Sequence, residues 1–140
     1  MKRKILITMT IALALVLGGG FYLSKKMTTP QNQIKETFNI QLEDTKLLYD
    51  IDTKEGFHYE IYQVKNTNAE FLKEITKTKD EAMEKNVNEL LKHMGISKEN
   101  SIDWDKEYTW QQVELNKGFD ILYLILFKDS NTVYAITNNK

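Results

Sequence analysis

From Ile5 to Leu23 the chain runs nineteen residues without a charged side chain, between Lys2-Arg3-Lys4 on one side and Lys25-Lys26 on the other. As a helix rising about 1.5 Å per residue, that stretch nearly crosses the roughly 30 Å hydrocarbon core of a bilayer. Phe21 and Tyr22 then fall at an interface, where aromatic rings are favoured, and the two lysines fall among headgroups. The pattern predicts a transmembrane signal-anchor over residues 1–26, with the membrane entered through 5–23. Three basic side chains and the terminal amine outweigh Lys25 and Lys26, so the N-terminus is expected in the cytoplasm and the rest outside, in the cell envelope.

A second reading takes only Ile5–Leu17 as the apolar core of a cleaved signal peptide, with Gly18 and Gly20 as the small residues before the cut and a secreted product. The A-x-A-like pattern is absent and no polar break precedes the glycines, so the uncleaved anchor is preferred. A pilin-like leader does not fit, because there the processing site precedes the apolar stretch.

Charge separates the two parts of the chain. Five of the nineteen basic residues lie in 1–26 and none of the twenty acids does, so 27–140 keeps fourteen bases against twenty acids, a net charge of −6. Such a domain repels a phosphate backbone, and nucleic acid is not an expected partner. The chain has no cysteine. Disulfides, thiolate metal sites, a Cys nucleophile and lipid attachment at a cysteine are thereby excluded. A domain of this size can be held by its core alone.

Residues 27–45, with Thr28, Thr29, Pro30, Gln31 and Asn32, read as a linker and lead-in, and Ile34–Leu42 fits a short helix or an irregular packing segment. The folded domain is expected over 46–140. Lys46–Asp52 and Phe57–Lys65 read as two strands joined at Thr53–Gly56. Thr67-x-x-Glu70 and Thr78-x-x-Glu81 match capping boxes. Met83, Val87, Leu90, Leu91 and Met94 share one helical face, which Gly95 ends. Ser101–Leu115 reads as a strand through the alternation of Ile102, Trp104, Tyr108 and Trp110. Phe119–Phe127 reads as a strand buried on both faces, and Thr132–Thr137 as the last strand. The prediction is α+β: a β-β-α-β-β-β antiparallel sheet with a helical segment packed on one face.

Motifs for chemistry are sparse. Asp50, Asp52, Glu55 and Glu60 gather at the hairpin, but Lys54 and Glu55 break the EF-hand pattern that Asp50-x-Asp52 begins. Asp103, Asp105 and Glu107 are expected on the wet side of a strand. His93 sits near a helix C-terminus, where positive charge is favourable. His58 and Glu60, two apart on a strand, share a face; such a pair is more often a cross-strand polar contact, and otherwise half of a metal site or an acid–base pair. No third ligand, nucleophile motif or cofactor is implied.

An apolar strand ending in acids and followed by Gly56-Phe57-His58-Tyr59-Glu60 resembles a segment of small uncharacterised membrane-anchored or exported proteins of Gram-positive bacteria. Those carry a second glycine before the Phe and Gly-Asp where this chain has Tyr59-Glu60. The similarity spans Lys46 to Lys65 and implies a cell-envelope setting without an activity. The expectation is a protein-binding module of inhibitor, immunity or accessory type, with Phe57, His58, Tyr59, Glu60, Trp104 and Trp110 as candidate contacts for an envelope protein. A small hydrolase or metal-dependent enzyme using His58 and Glu60, and a self-associating structural subunit, are the alternatives.

Overall fold

The computed structural model describes residues 29–139. The expected transmembrane segment, 5–23, lies outside them. No helix among the described residues is long and apolar enough to cross a membrane.

The chain enters through helix α1, Pro30–Phe38. Proline suits a first helical turn, whose amides lack intrahelical partners, and the Thr29 hydroxyl accepts a hydrogen bond from the Asn32 amide at 3.3 Å. Asn39, at φ 57°, ends the helix. Ile34 and Phe38 are buried, so the packed unit begins upstream of position 46 and includes much of the expected lead-in.

Strands β1 (Thr45–Asp52) and β2 (Phe57–Val64) form the expected hairpin. A five-residue 3₁₀ turn, Glu70–Glu74, stands where the first capping box predicted a helix. Helix α2 spans Glu81–His93. Its N-cap is Asp80 rather than Thr78, with one carboxylate oxygen accepting from the amides of Ala82 and Met83 at 2.9 and 3.1 Å. The reason lies just upstream, where Lys77 is held extended by a bridge to Trp110. Strands β3 (Thr109–Leu115), β4 (Asp120–Phe127) and β5 (Thr132–Asn139) complete a five-stranded antiparallel sheet of order β1-β2-β5-β4-β3. The strand expected from Ser101 begins only at Thr109. Residues 103–105 make a turn instead, closed by the Asp105 amide donating to the Asp103 carboxylate at 3.2 Å.

Alternation along the strands divides the core between two sheet faces. Tyr62, Leu122, Leu124, Val133 and Ala135 pack under α1 and the 3₁₀ turn, with Ile34, Phe38 and Phe71. Tyr59, Tyr123, Ile125, Phe127 and Ile136 pack under α2, with Met83, Val87 and Leu91. Helical segments thus cover both faces of the sheet, where the sequence predicted one. Each buried aliphatic side chain contributes about 2 kcal/mol through loss of apolar surface to water. β1 belongs to both faces because of a bulge: Leu47 pairs with Tyr62 and Tyr49 with Ile61, leaving Leu48 as the extra residue. Leu47 and Tyr49 therefore join different clusters, and Leu48 points to solvent.

Candidate functional site

Of the concavities in this frame, two gather the side chains with the most chemistry. The first lies at the hairpin. Cross-strand pairing sets Asp50 opposite Glu60 and Asp52 opposite His58. With Pro30 and Gln33 of α1 these four side chains line a cavity of about 170 Å³.

The His58 Nδ1 lies 3.4 Å from the Asp52 carboxylate, and the imidazole is largely buried. Glu60 is only 2% exposed. Its carboxylate accepts a hydrogen bond from the Tyr62 hydroxyl at 3.3 Å. Burial pushes the carboxyl up to about 7, the Tyr62 hydrogen bond opposes this, and the negative charges of Asp50 and Asp52 add to it. Burial, followed by the charge of Glu60, in turn raises the Tyr62 hydroxyl. The pocket therefore favours the protonated form of Glu60 more than water would. His58 and Glu60 face the same cavity but are bonded to different partners. No group of three or more His, Asp or Glu side chains arranged to hold a metal occurs among the described residues.

The remaining predicted contacts are dispersed. Tyr59 and Trp110 are buried in the α2 face, like Glu60 in the other, and present almost no surface of their own. Tyr59 donates to the Asn100 carbonyl at 2.6 Å, and the Trp110 indole to the Thr78 carbonyl at 2.8 Å. Phe57 is half-buried, edge-on to His93, whose Nε2 lies 2.6 Å from the Glu55 carboxylate. Trp104 is half-buried on the α2 side and donates to the Asn88 side chain at 2.8 Å.

Sequence reasoning did not foresee the second concavity, a groove of about 440 Å³ on the α1 side near edge strand β3. Phe38, Ile40, Phe71, Val113 and Leu124 give it apolar walls, and Glu43, Glu70 and Glu74 contribute carboxylates. Its residues come from four separate stretches of chain, so no local pattern announces it. α1 starts beside the hairpin cavity and ends at this groove.

The chain matches no known protein family, curated protein or solved structure.

Proposed function

We propose that this protein is a single-pass membrane-anchored module that displays its acidic α+β domain outside the cytoplasm to bind another protein of the cell envelope, as an inhibitor, an immunity-type protein or an accessory subunit. The observation that carries this reading is the acid-edged apolar groove at the C-terminal end of α1. Apolar walls supply the non-directional attraction of a protein interface, and the carboxylates select among partners by charge. Tethering by residues 5–23 raises the effective concentration at a membrane-associated target, so modest affinity suffices. The Gram-positive envelope setting implied by the hairpin resemblance agrees with this topology.

The native absence of cysteine allows a direct test. With Lys54→Cys in the exposed hairpin turn, a membrane-impermeant maleimide is expected to label intact cells. With Lys2→Cys, labelling is expected only after permeabilisation. The opposite pattern overturns the topology, and release of labelled domain into the medium replaces the anchor with a cleaved signal.

A second reading, an envelope hydrolase or metal-dependent enzyme using His58 and Glu60, draws support from one observation: a buried carboxyl, pushed up by burial, lines the same cavity as an imidazole. It requires that His58→Ala fail to complement a deletion strain while keeping the wild-type melting temperature. Full complementation by that variant rules it out.

A further inference from the structure

The two sheet edges differ. β1 is interrupted by the Leu48 bulge and carries Lys46, Asp50 and Asp52, features that discourage another strand from pairing. β3 pairs with β4 in unbroken register from Thr109 to Leu115 and carries one charged residue, Glu114. Among the described residues, its outer side pairs with other backbone at one position. Lys77 exchanges two backbone hydrogen bonds with Trp110, at 3.0 and 2.9 Å, and its ammonium lies 4.6 Å from the centre of the indole ring.

Because both backbone groups of Trp110 point outward to Lys77, strand alternation turns those of Gln112 and Glu114 outward too. Among the described residues these groups have no backbone partner outside the strand ladder. Gln111 and Val113, on the alternate positions, line the groove. Backbone docking positions and a side-chain groove thus lie next to each other.

We infer that β3 and the adjacent groove receive an extended segment of a partner protein in which Lys or Arg alternates with aliphatic residues. The segment continues outward pairing from Lys77 by bonding to Gln112 and Glu114. Its Lys or Arg side chains face the groove, laying their aliphatic stems on the apolar walls and their charges beside the carboxylates of Glu43, Glu70 and Glu74, while the alternate aliphatic residues face the other side of the sheet; main-chain bonds supply affinity and side chains supply specificity. Glu70 already meets Lys73 at 2.5 Å, whereas Glu43 and Glu74 have no ion-pair partner among the described residues. A second copy is a poorer occupant, because edge-to-edge pairing would bring two sets of these carboxylates together. This inference rests on the protein-binding reading and gives it a partner chemistry.

The test uses the full chain in non-ionic detergent and a fluorescein-labelled peptide of about eight residues alternating Lys with Val, matched to the usual strand length. Anisotropy should report saturable binding. Methylating the amides on one edge of the peptide should weaken it by about tenfold or more, as should Gln112→Pro, which removes one outward amide from an edge strand. Glu70→Lys with Glu74→Lys, at two exposed positions, should weaken binding equally without lowering the melting temperature. No binding, equal binding of a Glu–Val peptide, or indifference to amide methylation overturns the inference. So does a concentration-dependent dimer that Gln112→Pro dissolves, which would assign the edge to a second copy. A native envelope partner retained by both variants removes this site while leaving the binding module standing. Failed surface labelling at Lys54→Cys removes the module's setting independently of the peptide result.

Discussion

Glu60→Gln is expected to stabilise the protein at pH 8 by about 3 kcal/mol and to lose that advantage at pH 4. The wild-type carboxyl moves from an ordinary value of 4.5 to about 7 on folding, first through burial and then through Asp50 and Asp52. A raised carboxyl means that the folded state binds the proton more tightly than the unfolded state. Its stabilising contribution is complete below about 4.5 and declines as pH rises toward 7. Above 7 the fold carries a buried carboxylate, held by the Tyr62 hydroxyl and facing two further acids. Glutamine keeps the shape and can accept the same hydrogen bond without ionising. Thermal denaturation of both proteins from pH 4 to 9 gives a difference curve in which other titrating groups largely cancel. Parallel curves would show that Glu60 is not the titrating group. The result also bears on function, because a charge burden at neutral pH is retained where something uses the proton or the charge. Glu60→Gln with normal complementation would identify it as a structural group and weaken the enzymatic reading.

Local chemistry made several elements legible in the sequence. The first hairpin followed from two β-rich runs around Thr53–Gly56, and β4 from the apolar run Phe119–Phe127. The apolar period from Met83 placed the buried face of α2 correctly. Long-range contacts decided the errors. Thr78 lost the cap to Asp80 because Lys77 pairs with Trp110, thirty-three positions away. Ile102, Trp104, Tyr108 and Trp110 alternate as a strand would, yet they meet in one cluster through a turn followed by a strand. The helix before β1 was ambiguous because Ile34 and Phe38 supply its only two buried side chains. His58 and Glu60 were recognisable as neighbours on one face. Their division between Asp52 and Tyr62 depends on cross-strand register and on α1 closing above them, which spacing alone does not encode.

Gly56→Ala is expected to cost about 3 kcal/mol, whereas Gly95→Ala should cost about 1 kcal/mol. Both glycines occupy positive φ, +86° and +70°, so both substitutions pay for left-handed backbone. Only Gly56 lacks room. A Cβ there would lie 2.1 Å from the Asn139 carbonyl oxygen, while one at Gly95 meets nothing within 4 Å. Little at Gly56 can yield, because the Asn139 amide also donates to its carbonyl at 2.9 Å and β5 is paired on both sides. The difference between the two variants therefore isolates the steric term from the shared conformational one. Chemical denaturation with matched m-values gives it directly. Equal losses would mean that the hairpin turn moves freely away from the end of β5. The larger loss at Gly56 would instead show that the C-terminal strand anchors the turn connecting Asp52 to His58. That rigid attachment holds His58 and Glu60 under α1, so a variant that loosens it should also expose the Glu60 carboxyl and bring its titration back toward 4.5.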